Sequence, residues 1–399
     1  MKISAKKFSI DMIYSILALV LMNGVLQLLI YPYINKTLGE DAFGSAVYAL
    51  GIVSIISVAV GTAACNTRII TKNSYHTSNS DYYIFLIIAG GLASLIGTLL
   101  VAKEFSSVFD CILFYILAFL TVLRVYALVE FRIILNFKGY LIYYAVLSIG
   151  YILGAVLFSL VKLWQAIFIV GELAALIYVF IVGKIFKPDS RSENFGKANK
   201  AIIILFLSLL VQEALMQVDK LILMNISGSS AVSQYYAASL LGKTLVFLAS
   251  PLSVVILSYI SGKNSDGKKQ TLICFLCSII LGGFFFAACY FLSPVFLRIW
   301  YPDLAITAVP LSQIATPAWI FFFSSNILMT IVLASHGEKT HFIIQICYGV
   351  LCVGLSIPMT IRGGVNGFSY AVLISNAFRY ALTVIVGLFI KSKASINLN

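Results

Sequence analysis

The sequence predicts an all-α membrane protein of twelve transmembrane helices in two sets of six, and three observations predict it. Of its 399 residues, 61% are hydrophobic and only 11% charged, and the mean hydropathy is +1.02. A water-soluble domain needs far more polar surface to cover its core, so the solvent of most of this chain is lipid. The apolar residues fall into twelve runs, each long enough to cross about 30 Å of hydrocarbon as a helix. Lys and Arg then alternate by loop. With the N-terminus inside, 18 of the 27 lie on the inner side and 5 on the outer, which is the inside bias of membrane proteins. That bias, rather than binding to nucleic acid, accounts for the net charge of +12.

In chain order the first six runs are 8–30, 43–65, 82–101, 111–134, 140–161 and 164–186. Each reads as a helix, because a helix satisfies its own backbone in lipid and an isolated strand does not. The first is too long for a signal peptide and lacks a small-residue cleavage pattern. The polar stretch KPDSRSENFGKANK, 187–200, with Arg191 in it, interrupts the series and is expected inside, and Lys2, Lys72, Lys263, Lys391 and Lys393 are among the other inner charges. The second six runs are 201–224, 235–260, 272–292, 304–333, 342–359 and 365–390. The expected domains are therefore 1–186, a linker 187–200, and 201–399. Pro32, Pro251, Pro310 and Pro317 are expected to break, bend or end spans. Trp164, Trp300 and Tyr301 fall at outer helix ends, where an aromatic belt belongs. Cys274 and Cys277 form a CxxC inside an apolar run, with His76, His336 and His341 in or beside loops elsewhere, so they read as packing residues and no metal or cofactor is expected.

Charge inside a span costs roughly 2.5–3.5 kcal/mol at a helix centre, so each such residue is expected to face protein or water. Arg124, Lys243 and Arg379 lie in or beside the middle third of the fourth, eighth and twelfth runs. On the acidic side are Glu172 in the sixth run and Glu213 and Asp219 in the seventh, with Asp11 at the start of the first. In the seventh run Glu213, Gln217 and Lys220 share one helical face. Asp11, Ser15, Asn23 and Gln27 group more loosely on the first, Tyr236, Ser239 and Lys243 form a stripe on the eighth, and Ser375, Asn376 and Arg379 cluster on the twelfth. Polar faces on four helices are costly against lipid, which points them at a shared hydrated cavity. Its cations, Arg124, Lys243, Arg379 and Lys220, suit an anionic substrate such as a phosphate. Glu213, Glu172 and Asp219 are the candidates for coupling to an ion. The alternative is that the charges pair and fasten helices together, Glu213 with Lys220 for example.

Several function classes drop out. No G-x-x-x-x-G-K-S/T is present, so the chain is not expected to hydrolyse ATP. No outer loop is long enough to carry the catalytic charges of a polysaccharide polymerase or ligase, and no ring or filter motif suggests a channel. A transporter, not an enzyme, is the expectation.

Two hairpins carry a resemblance. YPYINKTLGEDAFGSAVYAL from Tyr31 has an aromatic-Pro, a short basic turn, Leu-Gly, an acidic residue and Phe-Gly leading into the second helix. EALMQVDKLILMNISGSSAVSQYYAAS from Glu213 has an Asp late in the seventh helix and Tyr-Ala-Ala-Ser opening the eighth. The two also echo each other at equivalent positions of the halves, as internal repeats do. Both resemble the O-antigen and polysaccharide flippases of the multidrug/oligosaccharidyl-lipid/polysaccharide (MOP) exporter superfamily. The resemblance implies two six-helix bundles in a V around a central cavity, in the bacterial inner membrane, and the bias of Lys and Arg places both termini in the cytoplasm. It implies transport of an undecaprenyl-diphosphate-linked glycan by alternating access, driven by an ion gradient such as protons or sodium or by membrane potential. A polysaccharide polymerase and a chain-length regulator are the expected protein partners, alongside membrane lipid. A multidrug antiporter of the same superfamily would want an acidic, aromatic cavity, and the mid-span Arg and Lys count against it. A flippase for peptidoglycan precursor or teichoic acid remains open.

Overall fold

The computed structural model describes residues 5–71, 78–187, 192, 195–260 and 267–389. Lys2, Lys72, His76, Arg191, Lys263, Lys391 and Lys393 of the expectations above lie outside them. Every regular element among the described residues is helical. The helices are α1 (Ala5–Val25), α2 (Tyr31–Leu38), α3 (Glu40–Ile56), α4 (Ala63–Thr71), α5 (Ser80–Val101), α6 (Val108–Ala127), α7 (Val129–Ile133), α8 (Phe137–Val161), α9 (Gln165–Val182), α10 (Phe195–Met216), α11 (Val218–Ser227), α12 (Ser229–Ile260), α13 (Gly267–Trp300), α14 (Ala305–His336) and α15 (Glu338–Phe389). Ten stretches of the described residues are long and apolar enough to cross a membrane. The last of these, Lys339–Phe389, turns at Gly364 (φ 55°, ψ −138°) and so holds two passes. With the 32-residue α12 the passes match the twelve expected.

The chain divides by compactness into two units. Unit 1 is Met1–Gly39 with Tyr48–Gln217, and unit 2 is Glu40–Val47 with Val218–Asn399. This boundary differs from the one drawn at 187–200, for two reasons. First, α10 starts at Phe195, so the polar stretch is partly helical, and α10 packs on α4, α5 and the turn that joins α3 to α4. Second, the expected seventh span is broken at Gln217, between α10 and α11.

In unit 1, α8 and α9 form the closest pairing, and glycine is the reason. A Cβ on Gly154 would meet the Ile167 carbonyl oxygen at 2.5 Å, one on Gly150 the Gly171 Cα at 2.7 Å, and one on Gly171 the Tyr151 ring at 2.2 Å. Helices in lipid gain no hydrophobic drive from meeting each other, so close backbone approach at small residues does that work. Two π-turns, Leu26–Ile30 and Ser57–Thr62, interrupt the first two spans. The first has a visible cause. Pro32 lacks the amide that would bond the Leu28 carbonyl, and just upstream the Tyr31 amide reaches back five residues to Leu26. Helix starts are capped from the sequence: Ser107 and Asp110 make a capping box at α6, and the Asn136 side chain accepts the Gly139 amide at α8.

Unit 2 is built on α14, which packs on α12, α13 and α15. Pro310 and Pro317 sit inside an uninterrupted α14 and do not end it. Tyr301 is fully buried against Phe43 and Phe296, so it serves packing in place of the expected aromatic belt.

Candidate functional site

The charged residues expected inside spans are distributed over both units, and most have found partners. In unit 1 the Arg124 Nε of α6 pairs with the Glu172 carboxylate of α9. The Tyr151 hydroxyl donates to the other Glu172 oxygen at 3.1 Å, and the Tyr143 hydroxyl donates to the Arg124 carbonyl at 2.8 Å. The Arg124 and Glu172 side chains are 11% and 3% exposed, so the pair is a buried contact between α6 and α9. The substrate cation and the coupling acid expected at these two positions therefore meet each other.

Glu213 of α10 lies in a different setting. One of its oxygens accepts from the Ser54 hydroxyl of α3 at 2.8 Å and from the Gln217 amide at 2.6 Å. Gln217 also donates to Ser54 at 3.3 Å. These neutral donors adjoin the break at Gln217 and the π-turn that starts at Ser57. On α1 the expected polar stripe is turned to its own backbone: Asn23 donates to the Leu19 carbonyl at 2.9 Å and Ser15 to the Asp11 carbonyl at 3.0 Å. Asp11 is part-exposed, and Gln27 sits in the first π-turn.

In unit 2 Lys243 of α12 pairs with Asp219 of α11. The ammonium lies 4.9 Å from the centre of the Trp319 ring and 5.5 Å from that of Tyr235. Lys220 neighbours Asp219 on α11 and is half-buried. Ser239 is buried and donates to the Tyr236 carbonyl, and Asn376 donates to the Ala318 carbonyl at 2.8 Å. Arg379 is 2% exposed. No carboxylate among the described residues pairs with it, and its Nε and Nη1 have no hydrogen-bond partner. Its Cζ lies 4.5 Å from the Phe322 ring centre and 5.1 Å from that of Tyr348. Those centres are only 6.0 Å apart, so the rings form a corner on one side of the guanidinium and do not sandwich it.

Two arrangements escaped the sequence reading. Within unit 2, the first turn of α3 meets the first turn of α12. Asp41 accepts from Ser229 at 2.9 Å, Glu40 from Ser230 and, at 2.8 Å, from Gln234, and the Glu40 carbonyl from Ser233 at 2.6 Å. Phe43 packs edge-on to Tyr236 at 5.6 Å. Within unit 1, Asp81 accepts the Ser192 amide at 3.0 Å and Glu130 accepts the amides of Lys184 and Ile185 at 3.1 and 2.9 Å. The start of the expected linker is thereby tied to the ends of α5 and α7. Acidic residues at helix starts were a signal for the first, and the hairpin echo another.

No known protein family and no curated protein matches the sequence. Solved structures do match in fold, and all those named here are transporters. The lipid II flippase MurJ in an inward closed conformation superposes with a TM-score of 0.72 at 14% identity, over 94% of this chain and 87% of that one. An inward-facing multidrug resistance MATE family transporter of the MOP superfamily gives 0.65 at 12% identity, over 92% and 93%. The Vibrio cholerae MATE transporter VcmN in the bent form gives 0.56 at 14% identity, over 96% and 98%. The chain thus has the polytopic all-α fold that these MOP-type transporters share, along nearly its whole length.

Proposed function

We propose that this chain is a flippase of the bacterial cytoplasmic membrane that moves an undecaprenyl-diphosphate-linked oligosaccharide, such as an O-antigen repeat unit, between leaflets by alternating access. The observation that carries the reading is Arg379: Glu172 and Asp219 pair with Arg124 and Lys243, whereas no carboxylate among the described residues pairs with this buried guanidinium. A diphosphate headgroup supplies the partner such a group needs, since oxyanions are bound by guanidinium and ammonium groups, and a cationic drug does not. The shared fold with a lipid II flippase supports a lipid-linked substrate. It also favours a second reading, transport of a peptidoglycan precursor. Both termini are taken as cytoplasmic, Glu213 as the group that responds to a proton or sodium gradient, and a polymerase with its chain-length regulator as downstream partners.

The test is to delete the gene and identify the lipid-linked glycan that accumulates on the inner leaflet. Accumulation of a polysaccharide repeat supports the proposal, accumulation of peptidoglycan precursor transfers it to the second reading, and accumulation of neither refutes both.

A further inference from the structure

The segment that follows α9 does not leave the membrane surface as a loop into water would. The span Gln165–Val182 ends with Phe180 and Ile181, 71% and 77% exposed on a lipid-facing turn. Phe186, just beyond it, turns back and stacks on Phe180 at 6.3 Å and on Tyr83 of α5 at 6.4 Å. Ile185 is 3% exposed. The main chain here is irregular, yet protein side chains take its polar groups. Glu130 accepts the amides of Lys184 and Ile185 at 3.1 and 2.9 Å. Asn79 donates to the carbonyls of Lys184 and Lys187 at 3.3 and 2.8 Å, and Arg68 in turn holds the Asn79 oxygen. The Tyr83 hydroxyl donates to the Ile185 carbonyl and, at 3.4 Å, to that of Lys187. A non-helical backbone satisfied by side chains is what the edge of a hydrocarbon layer requires, where water is scarce. The side chains it carries then divide. Ile185 and Phe186 pack on the protein, whereas Lys184 and Lys187 are exposed, and no carboxylate among the described residues pairs with either. Two cations thus stand on a fixed backbone beside an aromatic stack that opens on lipid.

We propose that the segment Lys184–Lys187 is a binding site for the headgroup of an anionic phospholipid, with its phosphate between the two lysines and the Phe180–Phe186 stack against its glycerol end. Lysines at a membrane surface attract anionic headgroups, and a backbone already pinned by Glu130, Asn79 and Tyr83 loses little freedom on binding one. The site lies on the outer face of unit 1 and is independent of any transported substrate.

Thermal unfolding of the purified full-length protein in detergent tests this, in titrations with phosphatidylglycerol and with phosphatidylethanolamine of the same acyl chains. The wild type is expected to gain more melting temperature from phosphatidylglycerol. Lys184→Gln with Lys187→Gln should raise the half-saturating phosphatidylglycerol concentration about 30-fold, at about fivefold per lysine. Lys138→Gln with Lys200→Gln removes the same charge from two other exposed positions and should leave it near the wild-type value. Glu130→Ala separates a built site from diffuse attraction. It makes the protein more positive, so diffuse attraction would tighten binding, whereas release of the Lys184 and Ile185 amides should weaken it. Equal gains from the two lipids in the wild type overturn the proposal. So does an equal loss in the two lysine pairs, wild-type binding in Lys184→Gln with Lys187→Gln, or unchanged or tighter binding in Glu130→Ala. If Glu130→Ala does not fold, the comparison of the two lysine pairs decides.

Discussion

Arg124 and Glu172 show what a buried ion pair demands of its neighbours. The pair sits 48 residues apart in the chain, with the Tyr151 hydroxyl on the second Glu172 oxygen and that of Tyr143 on the Arg124 backbone carbonyl. Glu172→Gln leaves the guanidinium buried without a counter-charge, a change that costs roughly 3–5 kcal/mol. Replacing both, Arg124→Met with Glu172→Leu, is expected to recover most of that stability. Chemical unfolding in detergent reads the difference, and a single variant as stable as the double one would show that the charges do not depend on each other. Glu213 is expected to behave otherwise, because its donors Ser54 and Gln217 are neutral. In reconstituted vesicles Glu213→Gln should abolish the response of transport to an imposed pH or sodium gradient while substrate binding persists. If Glu213→Gln instead lowers stability, and adding Lys220→Met restores both folding and gradient-driven transport, Glu213 has no part in coupling. How far these sites were legible follows from the same residues. A charge within an apolar run is visible in the sequence because lipid makes it costly. Its partner is not visible, because Glu172 lies two spans and Asp219 one span away from the cations they neutralise. The aromatic corner at Arg379 was equally hidden, since Phe322 and Tyr348 look like any other apolar residue in their spans.

Two one-residue turns join helices at corresponding places in the halves. Gly39 has φ 85° and Gly228 φ 86°, a region where a side chain is strained. Each helix that follows begins with groups suited to its N-terminus, Glu40 and Asp41 on α3 and Ser229 on α12. The two starts meet at Gly44, where an added Cβ would lie 1.9 Å from the Ser229 carbonyl oxygen and 2.7 Å from the Ser233 hydroxyl. Gly44→Ala is therefore expected to part the first turn of α3 from that of α12 and to break the Asp41–Ser229 hydrogen bond. With cysteines at 41 and 229 in a background free of other thiols, Gly44→Ala should slow disulfide formation severalfold. An unchanged rate would mean that the helices meet elsewhere. At this scale the sequence was informative where chemistry is local. The twelve apolar runs, the hairpin echo and the capping residues all depend on near neighbours. It was uninformative where the helix is decided by packing. α10 runs six residues further toward its N-terminus than its apolar run, held by the buried Ala198 while Lys197 and Lys200 remain exposed. The π-turn at Ser57–Thr62 has no proline to announce it.

At the scale of the molecule, the number of passes and the side of each loop stand or fall together. α15 spans 52 residues. As one straight helix it would run about 78 Å, far beyond a hydrocarbon layer of about 30 Å, so it has to double back. Gly364 provides the place, and Gly367 folds so closely on the Met359 carbonyl, 1.9 Å from an added Cβ, that the hairpin admits no side chain there. Arg362 at that tip then lies on the outer side if the inner side is the one rich in Lys and Arg. The same parity puts Lys36 and Asp303 outside and Lys187 and Lys200 inside, and all five are exposed positions. Single cysteines at these sites, in a background free of other thiols, test the whole arrangement with a membrane-impermeant thiol reagent. Positions 36, 303 and 362 should react in cells whose outer membrane alone is permeable, and 187 and 200 only after the inner membrane is opened. Reaction at 362 is the sharpest of these, because an eleven-pass chain with α15 crossing once would bury that residue in lipid. Reaction at 187 or 200 from outside would invert the molecule, and with it the direction in which a lipid-linked substrate is proposed to move.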